Sequence, residues 1–422
     1  MKETSLLYKI IRGFQDMWFI WAHEMRNVFR DEGVLMFCIL VPLGYPLLYS
    51  WIYNNEVVRD VPTAIVDLSH SHTSREFIRH YDAAPETEAT YYCTSLGEAK
   101  KLVENLALHV ILYIPSDFDK RLSRGEKAHL SVYTDMSLML TYKAIYQTAQ
   151  AVATNINSEI QLDNSVNFTA RDAEVTTKPL DFDEVPIFNT TGGYGNAILP
   201  GVLVLILQQT LLLGVGLAAG TARENNRYKD LVPISHHYNG IFRIVLGKAM
   251  CYLMIFSVMA AYTTLCVPRF FHFTSMVNAT SLFGLMLPFL LAVIFFSMTL
   301  SCLVRYRENV MLLVVFTSVP LLFMTGISWP QSNIPGIWQG VSMLFPSTFG
   351  VRGFLRISSM GATLKDIVPE YQALWIQTLV YFIITCFVYR FQINQAHKHA
   401  VDQLEMMKNK AREAREKKQN KQ

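Results

Sequence analysis

Six stretches of this sequence run for about 20 residues with hardly a charge among them. They lie at 34–53, 197–219, 244–267, 281–304, 310–327 and 371–389. A helix of that length crosses a hydrocarbon core of about 30 Å and satisfies its own backbone, which an irregular chain at that depth cannot do. The rest of the chain moderates this pattern. At 51% hydrophobic, 17% charged and a mean hydropathy of +0.23, the 422 residues are too apolar for an ordinary soluble protein and too polar to be all membrane. The expected form is an α-helical membrane protein with six transmembrane helices, plus a small α/β extracytoplasmic domain inserted between helices 1 and 2.

Residues 1–32 precede the first span. Leu6, Ile10, Phe14, Trp18, Trp21, Met25 and Phe29 recur at three- and four-residue steps, with Lys9, Arg12, Asp16, Glu24, Arg26 and Arg30 between them. That periodicity makes an amphipathic helix, and its tryptophans favour the membrane interface over simple packing on the bundle. The span at 33–53 is read as uncleaved, because its leading segment is too long for a signal peptide and no small-residue cleavage site follows. Pro42 and Pro46 are possible kink points.

Residues 54–190 change character. Strands are expected at 61–68, 90–93, 110–114 and 129–134, and helices at 74–81, 95–106 and from Ser116, a candidate N-cap, to Gly125. The alternation makes a small α/β domain. A long helical pattern at 137–162 looks able to return the chain to the bilayer, and 163–191 reads as an acidic connector. Asp67, His70, His72, His80 and His109 form no nucleophile elbow, no metal-spaced pair and no phosphate loop. Five of the six cysteines, Cys38, Cys251, Cys266, Cys302 and Cys386, sit in or beside apolar runs. Only Cys93 lies in the domain, so no disulfide is expected there, and no metal site is expected anywhere.

Between the fifth and sixth spans, 328–370 is moderately apolar and broken by prolines. It suits a pair of short helices dipping into one leaflet. The tail at 391–422, with Arg390 before it, holds most of a group of nine basic residues and reads as a charged, partly helical extension. Basic residues decide the orientation. Lys2, Lys9, Arg12, Arg26 and Arg30 precede the first span, Arg223, Arg227, Lys229 and Arg243 fill the loop at 221–243, and Arg305 and Arg307 lie between the fourth and fifth spans. The opposite side has Arg269, then Arg352, Arg356 and Lys365 over a longer stretch. Both termini and the 221–243 loop are therefore expected in the cytoplasm, with 54–190 and 328–370 outside.

No Asp, Glu, Arg or Lys sits mid-span, which argues against an ion-coupled carrier. The nearest approach to a nucleotide loop, from Gly240 to Lys248, has six residues between its glycines instead of four, and Ala249 follows. The chain is not expected to be an enzyme, and energy for transport must come from another subunit.

Four segments in order carry a resemblance. They are RDEGVLMFCILVPLGYP at 30–46; VPTAIVD at 61–67 followed by Ser74 and Arg75; Arg223-Glu224, Pro233-Ile234-Ser235 and Gly247-Lys248; and GISWPQSNIPGIWQGVSMLFPSTF at 326–349. Together they resemble the membrane subunits of type-2 ABC exporters, in the bacterial drug-efflux-type branch with a large extracytoplasmic domain. The resemblance implies a half-transporter in the bacterial inner membrane, dimerising with a second copy or a similar permease. It implies a separate ABC ATPase subunit that carries ATP and magnesium, no cofactor in this chain, and no nucleic acid.

Residues 221–243 would be the coupling loop, with Arg223, Glu224, Arg227, Pro233, Ile234 and Ser235 at its docking surface. Pro233 would end one helix, Ser235 would cap the next, and Arg223 and Glu224 would offer charge-assisted bonds to the ATPase. Trp329, Pro330, Pro335 and Pro346 would form an outer re-entrant gate. Gln208, Gln209, Met298 and Phe323 are candidates for the lining of the pathway of a lipophilic or amphiphilic substrate. A periplasmic adaptor and an outer-membrane channel are possible partners. One departure stands out: Arg-Glu is followed by Asn-Asn-Arg-Tyr-Lys-Asp where the family usually has Gly-Thr-type residues, which points to a dedicated ATPase. The same loop would also serve a non-transporting signal or force transmitter, and a membrane enzyme with its site in 54–190 is the weaker rival.

Overall fold

The computed structural model describes residues 6–54, 57–105, 108–163, 187–189, 192–224, 240–302, 304 and 306–419, with the side chains of 6–10 and of nearly all residues beyond 394 left undescribed. The chain divides into two compact units, one formed by Met1–Asn54 with Phe188–Gln422 and the other by Asn55–Ile187.

The first unit is helical. Its elements are α1 (Leu6–Arg30) and α2 (Glu32–Ile52) and, after the inserted unit, α7 (Tyr194–Glu224), α8 (Ile241–Phe270), α9 (Ala279–Ser301), α10 (Arg307–Met324), α11 (Gly336–Ser342), α12 (Pro346–Met360) and α13 (Val368–Gln419). Six of these are long and apolar enough to cross a membrane: α2, α7, α8, α9, α10 and the first half of α13. Two of them contain a wider π turn just ahead of a proline, Met36–Leu40 before Pro42 and Tyr262–Cys266 before Pro268. A proline lacks the N–H and crowds the carbonyl four residues back, and a wider turn accommodates it without ending the helix.

At the centre of this unit α9 packs against α7, α8, α12 and α13, and α7 packs also against α2 and α10. Leu207, Leu211, Leu285, Phe289, Val293 and Phe354 lie in the shared core. Glycines bring α12 close: a Cβ on Gly350 would overlap the Phe289 ring, and one on Gly353 would meet Leu285 at 2.9 Å. The peripheral spans are the exposed ones. On α10, Val315, Phe316, Val319 and Phe323 are open, as suits side chains that meet lipid or another membrane protein. The broken stretch forms a 3-10 turn at Gln331–Asn333, then α11 and α12.

The inserted unit is a four-stranded sheet in the order β2-β1-β3-β4, formed by β1 (Val61–Asp67), β2 (Thr87–Tyr92), β3 (Val110–Ile114) and β4 (Ser131–Thr134). β1 runs parallel to β2 and β3, and β4 is antiparallel to β3. Its helices are α3 (His72–Asp82), α4 (Leu96–Glu104), α5 (Phe118–Ser123) and α6 (Met139–Asp163). Alternation along the strands gives each sheet face its own core. Ile65, Leu112 and Ile114 pack with Phe77 and Tyr81 of α3 and Val152 of α6, while Ala64, Val66 and Ile111 pack with Ala99 of α4.

Residues 137–162 supply α6, in which Ala149, Val152 and Ile156 recur on one face and cover the sheet. One sequence expectation changes here. Ser116 does not cap α5: Asp117 holds the cap position, with no side-chain cap bond. The caps that do form are Ser71 on α3 and Ser95 on α4.

Candidate functional site

The residues on either side of the 225–239 segment are anchored to four other helices. The anchors begin on α1. Its fully packed positions are Asp16, Ile20, Glu24 and Val28, spaced four apart on one face, while Phe14, Trp18 and Phe29 point away from the unit. The face that meets the bundle therefore carries two acids. Asp16 Oδ2 accepts from Arg243 Nη1 at 2.6 Å. Glu24 Oε2 accepts from Lys248 Nζ at 2.7 Å, and its Oε1 from the Tyr252 hydroxyl at 3.0 Å. Arg243, Lys248 and Tyr252 all belong to α8, so α1 is held to α8 at both ends of this contact.

Asp31, between α1 and α2, does three things. Its Oδ1 caps α2 by accepting from the backbone of Gly33 and Val34 and also accepts from Arg307 Nη2 of α10 at 3.1 Å. Its Oδ2 accepts from the Thr221 hydroxyl near the end of α7 at 3.0 Å. Two residues on, Arg223 Nη1 donates to the carbonyls of Ser301 (2.6 Å), Cys302 (3.2 Å) and Val304. These carbonyls close the C-terminal end of α9, where orphan acceptors and the helix dipole both favour a cation. A cavity of about 560 Å³ opens among these ties, lined by His23, Glu24, Asp31, Ala218, Lys248 and Arg307 among others.

Arg223 is thus engaged inside the protomer instead of being presented to a partner. Glu224 ends α7, with its side chain outside the described residues. Arg227, Pro233, Ile234 and Ser235 also lie outside them. At the far end of the spans, Trp329, Pro330 and Pro335 are exposed around the 3-10 turn and the start of α11, and Pro346 is the buried first residue of α12.

The four lining candidates do not share a surface. Gln208 and Met298 are fully buried, Gln209 is 9% exposed and Phe323 49%. Gln208 Nε2 donates to Ser347 Oγ of α12 at 3.0 Å, and the Gln209 amide has no hydrogen-bond partner among the described residues. No cluster of three metal-ligating side chains occurs among the described residues.

In the sequence Asp16 and Glu24 fall on the polar side of α1, and Arg307 stands only as a topology marker. The available signal was the spacing of eight between the two acids, in register with Ile20 and Val28 on one helical face.

The sequence model described as "ABC-2 family transporter protein" matches residues 33–387. The chain belongs to the ABC-2 family. It is also similar, at 19% identity over 84% of this chain and 91% of the relative, to the probable multidrug ABC transporter permease YbhR of Escherichia coli strain K12, and equally to that of strain O157:H7. For an ABC-2 permease the arrangement has a direct mechanical sense. Thr221 and Arg223 at the end of α7, and Arg243 and Lys248 at the start of α8, tie these two helices to α1, α2, α9 and α10.

Proposed function

We propose that this chain is the permease half of an ATP-driven exporter in the bacterial inner membrane. It pairs with a second copy or a similar permease, and a separate ATPase, binding ATP with magnesium, docks under the 221–243 loop. The observation that supports coupling there is the ionic base just described: both flanks of the loop are tied to helices that the loop does not itself connect. Closure of the ATPases would shift α7 and α8 together with α1, α2, α9 and α10 as a block.

The cargo in this reading is lipophilic or amphiphilic, in keeping with the multidrug permease the chain distantly resembles. The outward aromatic face of α1 suits an interfacial helix beside which such a molecule could enter from the inner leaflet. The buried Gln209 amide is a polar group available to the substrate or to the second protomer. The segment with Trp329, Pro330, Pro335 and Pro346 would close the outer side, and the inserted α/β unit would lie outside, where an adaptor leading to an outer-membrane channel could meet it.

The test is purification of the tagged chain from its host in mild detergent, with ATP hydrolysis measured on the product. A co-purifying ATPase whose activity is lost on Glu224→Ala or Pro233→Ala supports the coupling role, and ATP-dependent uptake of a lipophilic dye into inverted vesicles supports export. A preparation free of ATPase in several detergents and lipids removes the proposal.

A further inference from the structure

The inserted unit has a cavity of its own. It lies at the carboxyl ends of β1 and β2, measures about 630 Å³, and uses no residue assigned above to transport. The volume is that of a small-molecule site. Asp67 ends β1, Cys93 and Thr94 follow β2, and α3 contributes Arg75 and Arg79. The floor is apolar, with Ile65, Ile78 and Cys93 all buried.

The polar groups divide into two kinds. The acids are engaged in shaping the wall. Asp67 Oδ1 accepts from the backbone of Ser69 (2.9 Å) and His70 (3.1 Å), and its Oδ2 from Ser74 Oγ (2.7 Å). Asp82 Oδ1 accepts from the Ala89 N–H at 2.7 Å. Arg75 is held in place, and neither cation is neutralised by these acids. Arg75 Nε donates to Ser71 O and its Nη2 to His70 O, both at 3.1 Å, which fixes the guanidinium along one edge. His70, whose carbonyl takes one of those bonds, has a left-handed φ of +50°. Arg79 makes one exposed bond to Glu76 at 3.3 Å, which is worth little in water. No ion pair joins Arg75 or Arg79 to Asp67 or Asp82 among the described residues. A guanidinium braced on one edge presents its remaining donors to a planar or tetrahedral oxyanion.

We infer that this cavity binds a small amphiphilic anion, its carboxylate or phosphate on Arg75 and Arg79 and its short apolar body on Ile65 and Ile78. The loop from Leu68 to Ser74 has no glycine, so it lacks the backbone cradle of a nucleotide site. The inference is independent of the transport reading.

Cys93 in the floor is a built-in reporter. Burial, with the nearby Glu98 carboxylate, holds its thiol above the usual range, so labelling is run at mildly alkaline pH. The full chain, with Cys38, Cys251, Cys266, Cys302 and Cys386 replaced by serine, is placed in phosphatidylcholine nanodiscs. It is treated with 2-sulfonatoethyl or 2-trimethylammonioethyl methanethiosulfonate. Relative to each reagent's rate with free 2-mercaptoethanol, the anionic reagent should be favoured over the cationic one about tenfold, and the preference should vanish in Arg75→Gln/Arg79→Gln.

Octanoate or octyl phosphate should protect Cys93 where inorganic phosphate protects weakly and octyltrimethylammonium not at all. Protection by octyl phosphate but not octanoate would select phosphate esters over carboxylates as the ligand class. Equal normalised rates for the two reagents, or protection indifferent to the arginine substitutions, would overturn the inference. If the serine variant does not fold, thermal unfolding of the otherwise unaltered chain tests the same binding. Octanoate or octyl phosphate should raise its midpoint, and should not do so in the arginine double variant. A midpoint that neither ligand moves in the parent chain would overturn the inference as well.

Discussion

Glu24 and Lys248 are 224 residues apart in sequence, yet their charged atoms meet at 2.7 Å with only 7% of either side chain exposed. Removing one partner leaves the other charge buried and unpaired. Glu24→Ala or Lys248→Ala should each lower stability by about 3–5 kcal/mol, whereas Glu24→Leu/Lys248→Met, which replaces both with apolar groups of similar size, should recover most of the loss. Thermal unfolding in detergent reads both. A double variant no more stable than the singles would show that the pair does not act as a unit.

Arg223 closes the end of α9, its Nη1 donating to several carbonyls at once. Arg223→Ala should cost about 1.5–3 kcal/mol of stability and depress ATP hydrolysis by the co-purified complex more than it depresses assembly. Arg223→Lys should fall between the two. Measuring ATPase retention and turnover on the same preparations separates assembly from coupling.

Gly350 allows α12 to lie against α9, where a Cβ would overlap the Phe289 ring. Gly350→Val should cost about 1–3 kcal/mol by overpacking, and Phe289→Leu in the same chain should return part of that. If Gly350→Val unfolds at the temperature of the parent, the close approach carries no energetic weight.

Burial pushes the Tyr81 phenol up to about 12 from an ordinary 10.0. The group is neutral in the folded unit and ionises earlier when unfolded. Its contribution is therefore fully present below pH 10 and is lost as pH rises toward 12, by up to about 2–3 kcal/mol. Tyr81→Phe cannot ionise. The stability difference between parent and variant should be constant below pH 10 and shift in favour of the variant above it, as thermal unfolding across that range would report.

Much of the architecture was legible in the sequence because it rests on local patterns. Long charge-free runs define six spans, whose observed bounds at 32–52 and 279–301 differ by only a few residues from those read off the chain. The short apolar runs at 61–67 and 110–114 became β1 and β3, and the 6–29 periodicity became α1. The helical pattern at 137–162 became α6, but that it covers the sheet was not legible, because a helix with evenly spread polar residues does not name the surface it packs on.

The pairings were not legible. Asp16, Glu24 and Asp31 look like any acids on an amphipathic helix, and Arg243, Lys248 and Arg307 like any basic residues flanking a span. Only the packing of α1 across α8, and of α2 and α10 each against α7, decides that each acid meets one particular cation. Helical periodicity is a property of neighbours in sequence and survives in one dimension. An ion pair between residues hundreds of positions apart depends on which helix faces lie together, and that is set by the close packing of the whole unit. The cavity at the ends of β1 and β2 has the same origin. Strand periodicity gives the sheet, but the crossover through α3 brings Arg75 and Arg79 over Ile65 and leaves space between them.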